Sequence, residues 1–161
     1  MSKLGDNYIE IMIDSLKKKE AILDDILKMN EHQRQVLKDP NLTPDDFESV
    51  VDDKAKCIEE LEKLDAGFEA VFSKMRTELN GNREKYADEI KTMQDLIRSV
   101  TAKANDIRTS EMRNKEEALK KFAAVKTQVR EVRTGHKIAS EYYRNMLKLN
   151  FVDSQFLDNK R

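Results

Sequence analysis

The side chains that most often carry chemistry are scarce in this chain: two histidines, His32 and His136, and one cysteine, Cys57. Zinc wants clustered Cys and His, and neither histidine belongs to the Glu-x-x-His spacing that builds di-iron sites in helical bundles. The glycines stand alone at Gly5, Gly67, Gly81 and Gly135, so no phosphate-cradling loop occurs. The acid pairs Asp24-Asp25, Asp45-Asp46 and Asp52-Asp53 match solvated helix faces and caps better than general acid and base work. Cys57 falls inside an apolar stripe, where a thiol is structural; a reactive one needs a cationic or helix-start setting. A catalytic site needs polar groups converging in a pocket, and none converge here. The expectation is a protein that is not an enzyme and uses neither metal nor cofactor.

What remains is a helix-forming alphabet. Of 161 residues 38% are charged, while 4 Gly, 2 Pro, 6% aromatics and no Trp leave few turns, which points to an all-α fold of long antiparallel helices. Asp6 or Asn7 can cap a first helix running to about residue 38. Ile9, Leu16, Leu23, Asn30 and Leu37 stand seven apart, a coiled-coil-like seam with Asn30 as its polar interruption. Pro40 forbids continuation, and Thr43, Pro44, Asp45 and Asp46 are an N-cap, an N1 proline and an acidic first turn. A second helix over 44–80 carries the strongest stripe, from Phe47 through Ile58, Leu61, Phe68 and Met75 to Leu79. Asn80-Gly81-Asn82 has turn and C-cap chemistry.

From Arg83 to Arg133 neither glycine nor proline interrupts a third stripe: Tyr86, Ile90, Met93, Ile97, Val100, Ala104 and Ile107, then, after a polar gap, Ala118, Phe122, Val125, Val129 and Val132. One helix over 83–133 would extend roughly 75 Å. Reflecting the second helix about Gly81 sets Phe47 near Lys115, so the third helix is expected to overhang its neighbours by roughly 18 residues, about 27 Å. An uncovered apolar stripe there is an association site. Gly135 is expected to end the rod, leaving residues 135–161 as a partly helical, mobile tail beyond an elongated bundle of residues 1–134. The expected partner surface is Leu119, Phe122, Val125, Lys126, Val129, Arg130 and Val132, with Tyr142, Tyr143 and Met146 of the tail as a lid or second wall.

Charge is uneven. Residues 1–97 carry 15 Lys and Arg against 23 Asp and Glu, net −8, whereas 98–148 carry 13 against 6, net +7. Asp106, Glu111, Glu116, Glu117 and Glu131 interleave with the basic residues, which argues against a nucleic-acid face and for mutual cancellation between helices. No more than four apolar residues stand in a row, at Phe122 to Val125, so no membrane-inserted segment is expected. A soluble cytoplasmic protein is the expectation. Two rival functions stay open: a structural coiled coil that self-associates through the same stripe as a homodimer, and a basic-helix nucleic-acid binder.

Three stretches give the chain a family likeness: Asp45-Asp46-Phe47 leading into the Lys-containing acidic run from Lys54 to Leu64; the long third helix with Asn105 and Asn114 near its middle; and the ending Phe156-Leu157-Asp158-Asn159-Lys160. Together they resemble the FlgN-type flagellar type III export chaperones, small all-helical cytoplasmic proteins. The resemblance implies a chaperone that keeps hook-filament junction proteins (hook-associated proteins) soluble before secretion. It also implies that the C-terminal helical region grips an amphipathic client helix, and that the client is then handed to the export machinery. On that basis Lys126, Arg130 and Arg133 would orient an acidic client helix.

Overall fold

The computed structural model describes the backbone of residues 2–157 and the side chains of residues 5–125 and 129–145. Among the described residues there are four helices and no strand: α1 (Ser2–Val36), α2 (Pro44–Gly81), α3 (Ala87–Lys121) and α4 (Lys126–Leu157). The expected all-α bundle is what the chain forms. Between α1 and α2 the expected capping holds: Thr43 Oγ1 accepts the Asp46 N–H at 3.2 Å, and Pro44 opens α2. The turn at Asn80-Gly81-Asn82 also forms. Here the asparagine does the capping, Asn82 donating its side-chain amide to the Glu78 carbonyl at 2.8 Å and its backbone N–H to that of Leu79.

The third helix departs from its expected length. It stops at Lys121, the chain turns through Phe122–Val125, and α4 runs back along α3, so the overhang does not form. The turn is closed by the Phe122 N–H to Ala118 carbonyl bond (2.9 Å) and the Val125 N–H to Phe122 carbonyl bond (2.8 Å). It is anchored by the Phe122 ring against Phe47, centroids 5.3 Å apart. A straight rod would have kept a few more helical hydrogen bonds, each worth a net ~1 kcal/mol. Turning back instead buries Val132, Ala139, Tyr142 and Tyr143, where a large apolar side chain gains about 1.5 to 3 kcal/mol. Burial wins, although nothing local in Phe122-Ala123-Ala124-Val125 disfavours a helix. The expected break at Gly135 is likewise absent, since α4 is continuous across it.

The helices alternate in direction along the chain and form a ring in which α1 neighbours α2 and α3, α3 neighbours α4, and α4 closes the ring against α2. Three apolar clusters stack along it. The lowest, with Met12, Phe72, Met75 and Met93, belongs to α1–α3 and the turn residue Tyr86. The middle one adds Ala139, Tyr142 and Tyr143 of α4 to Leu23, Ile26, Leu61 and Ile107. The uppermost joins Phe47, Ala118, Phe122 and Val132.

A buried polar layer separates the middle and upper clusters. The Lys54 ammonium donates to Glu111 Oε1 at 2.6 Å, Asn30 Oδ1 at 3.1 Å and Gln33 Oε1 at 3.1 Å, which uses all three of its protons. Asn30 donates to Ser110 Oγ at 2.8 Å, and Asn114 donates to the Asn30 carbonyl at 2.9 Å and to Gln33 Oε1 at 3.1 Å. The polar interruption expected at Asn30 and the polar gap of the third stripe are thus the same layer, met from two helices. A thinner one lies between the middle and lower clusters, where Asp65 takes Lys19 at 2.5 Å and the Tyr142 hydroxyl at 2.8 Å.

Two outcomes follow. Replacing Lys54 by Ala strands a buried carboxylate and should cost about 3 to 5 kcal/mol in urea unfolding, whereas Lys54→Met with Glu111→Leu should recover most of that loss. At the lower end the Tyr86 hydroxyl donates to Glu78 Oε2 at 2.7 Å, and that bond with burial pushes the phenol up to about 12. The folded chain therefore holds this proton more tightly than the unfolded chain, whose tyrosines titrate near ~10. Its contribution is complete below about pH 10 and is lost as pH rises toward 12, so Tyr86→Phe should flatten the fall of the urea midpoint over that window.

Candidate functional site

α4 is held unevenly. It lies along α3 over its described length but meets α2 more sparingly, and their point of close approach is at Gly135. A Cβ on that residue would sit 3.2 Å from Val51 Cγ1, so the glycine works as the small residue of a helix crossing. Around the crossing the two helices enclose a cavity of about 350 Å³. Its walls are apolar, with Phe47, Val51 and Ile58 from α2 and Val132, Ile138 and Ala139 from α4. Its floor is the polar layer, through Gln33, Lys54, Glu111 and Asn114.

The floor is saturated, but α4 is not. Among the described residues, the buried side-chain polar atoms lacking a hydrogen-bond partner are His136 Nδ1 and the Tyr143 hydroxyl, both on α4. Such groups cost about 1 to 3 kcal/mol each. His136 stands level with the Lys54 layer, its Nε2 3.1 Å from Ser140 Oγ; burial and then the neighbouring Lys115 hold its pKa below the ordinary histidine range. Burial pushes the Tyr143 phenol up, as it does that of Tyr142, so both keep their protons. The two rings meet edge to face with centroids 5.2 Å apart. At the rim, Glu48 and Asp52 of α2 and Arg130 and Glu131 of α4 line the cavity mouth. The Glu48 carboxyl is raised by Glu131 first, then by burial, Asp52 and Asp45.

The expected surface is divided by this geometry. Val132 and Arg130 line the cavity. Phe122, Tyr142 and Tyr143 are buried in the bundle, while Leu119 and Val129 are half-buried beside the upper cluster. Val125, at the turn, is 42% exposed. The side chains of Lys126 and Met146 lie outside the described residues. What the sequence did not single out is the α2 wall, Phe47, Val51 and Ile58, or the position of Ile138, which is 48% exposed at the groove. The usable signal was Gly135, a small residue within an otherwise helical pattern, which marks a crossing as readily as an end.

Cys57 is half-buried, and burial followed by Glu60 and Asp25 pushes its thiol up, the setting of an unreactive cysteine. Among the described residues no three metal-ligating side chains gather, and no helix is long and apolar enough to cross a membrane.

The family model described as FlgN protein matches residues 1–145, which takes in α1 to α3, the described side chains of α4 and the whole cavity lining. The chain belongs to the FlgN family. That is a family of flagellar export chaperones, which agrees with the resemblance read from the sequence. The Phe156–Lys160 ending that contributed to the resemblance lies beyond the matched residues, and Asp158 to Lys160 are outside the described ones. Comparison with curated proteins and with solved structures finds no match.

If Gly135 sets the α2–α4 approach, Gly135→Leu should prise α4 from α2 without unfolding the lower cluster. Hydrogen exchange would read this as faster exchange over residues 129–145 with unchanged protection around Met12 and Met93.

Proposed function

We propose that this FlgN-family chain is a cytoplasmic export chaperone that keeps hook-filament junction proteins soluble before type III secretion. An amphipathic client helix would lie along the C-terminal helical region, in the groove between α2 and α4. The observation that carries this reading is the apolar cavity at the least tightly closed helix pair, with exposed Ile138 on its wall. Helix-in-groove recognition needs an apolar floor or walls for the client stripe and a charged rim to orient it. Val132, Ile138 and Ala139 supply one wall, and Phe47, Val51 and Ile58 the other. Arg130 and Arg133 meet acidic residues on the outer flank of the client. Leu119, Val125 and Val129 extend the apolar surface around the α3–α4 turn. Tyr142 and Tyr143, packed in the middle cluster, hold the α4 wall in place below the groove. Release follows transfer to the export machinery and uses no cofactor.

Ile138 is the residue of choice for a test because its exposure lets it change without loss of fold. Ile138→Glu should weaken binding of a purified hook-filament junction protein by about tenfold or more, as expected for a charge forced against an apolar partner, with the unfolding midpoint unchanged. Equal affinity of the variant and the parent chain, measured by titration calorimetry, would refute the groove. Light scattering on the chain alone tests the competing occupant, a second copy: a stable dimer that Ile138→Glu dissociates would favour self-association over client binding.

A further inference from the structure

His136 stands where the bundle is least closed. It follows Gly135, the crossing residue of α4, and it lines the cavity between α2 and α4. Its Nδ1 is buried without a partner, and its Nε2 lies 3.1 Å from Ser140 Oγ on its own helix. An uncharged ring tolerates this setting. The Ser140 hydroxyl can serve either tautomer, and what is left unmet on Nδ1 is one lone pair or one neutral N–H. A protonated ring does not tolerate it, because both nitrogens become donors and the sealed one then carries part of a positive charge with nothing to receive it.

No neighbour offers relief. From α3 the ring faces Lys115 and Glu111, and from α2 it faces Lys54. Glu111 is the one carboxylate among these, and the Lys54 ammonium already holds it at 2.6 Å. Glu48 and Asp52 of α2 and Arg130 and Glu131 of α4 line the cavity at its rim, yet none of them is among the charges that act on the ring. From α1 the lining includes only the neutral Gln33. Burial and then Lys115 accordingly hold the histidine below its ordinary range. Water reaches a charged Nδ1 when α4 lifts from the cavity, and α4 is held to α2 more sparingly than to α3.

We propose that His136 is a proton-operated latch: uncharged, it lets α4 close against α2; protonated, it lifts α4 and dismantles the wall of Val132, Ile138 and Ala139. The groove then holds a client helix near neutrality and lets it go in mild acid. This second half rests on the client-binding reading above, whereas the latch is a property of the chain alone. The lifted form binds the proton more readily than the closed one. Closure is therefore complete above the ordinary histidine value of 6.5 and is lost as pH falls below it.

The experiment compares hydrogen exchange of the full chain at about pH 7.5 and about pH 5.5, corrected for the intrinsic effect of pH. The parent is set beside His136→Gln, Lys115→Gln and, as a control, His32→Gln, whose histidine is exposed on α1. Acid should raise exchange over residues 129–145 on the order of tenfold in the parent and in His32→Gln, the scale of one buried donor left unmet. The rise should be smaller in Lys115→Gln, whose ring loses a repelling neighbour, and absent in His136→Gln. Protection around Met12 and Met93 should not change. Titration calorimetry with a purified hook-filament junction protein should show acid weakening the parent by roughly tenfold more than His136→Gln. Exchange that ignores acid, or responds equally in His136→Gln, would overturn the latch. A working latch with no difference in client affinity between parent and variant would overturn its control of the groove. A parent that binds no junction protein near neutrality would overturn the client reading, while the exchange measurement still decides the latch.

Discussion

The ammonium of Lys54, sealed among Glu111, Asn30 and Gln33, fixes how α1, α2 and α3 stand against one another. Apolar stripes at three- and four-residue spacing slide past each other at modest cost, because one leucine replaces another. A buried cation does not allow this. A shift of one helical turn would leave it unpaired at a cost of several kcal/mol, more than any single apolar contact returns. Asn30, Ser110 and Asn114 tie the same level of α1 to α3, so the layer acts as a register pin in a bundle otherwise built of interchangeable contacts.

α4 does not share in that satisfaction. Its residue at the level of the pin, His136, keeps a buried nitrogen without a partner, and Tyr143 keeps a hydroxyl in the same condition. A cavity lies between α4 and α2. Against these stand the burial of Val132, Ala139 and the tyrosine pair, and the Tyr142 bond to Asp65. The molecule is thus a well-determined three-helix scaffold with a fourth helix held by apolar burial and under-served in polar contacts. For a family of export chaperones this division has a physical sense: the place where a helix is least well satisfied is where another helix gains most by adding contacts.

Charge follows the same division. The acidic first part of the chain and the basic region beyond Arg98 lie side by side, and Lys103 reaches Glu20 at 3.2 Å and Asp24 at 2.7 Å across α1 and α3. Ser99 also donates to Glu20. The mutual cancellation anticipated from composition therefore occurs along the α1–α3 seam.

The sequence by itself determined the helical class, the end of the first helix within about two residues and the second helix within about one, the Thr43 cap, the turn after Gly81 and the Asn30 interruption, although the first helix begins at Ser2 and not at the expected Asp6 or Asn7 cap. Each of these rests on local chemistry: periodicity, proline geometry, capping groups, one polar residue in an apolar seam. The family likeness was legible in the same stretches. The end of the third helix was not. The stripe passes through Phe122-Ala123-Ala124-Val125 without losing phase, and no residue there opposes a helix, so only the supply of partners decides where the rod turns. That supply ends in the first turn of α2, at Phe47, and the gain from burying the α4 stripe exceeds the few hydrogen bonds given up. Because the turn moved, the expected uncovered surface became a packed one. The open groove arose between helices distant in sequence, joined at a glycine whose role depends on Val51 lying opposite it.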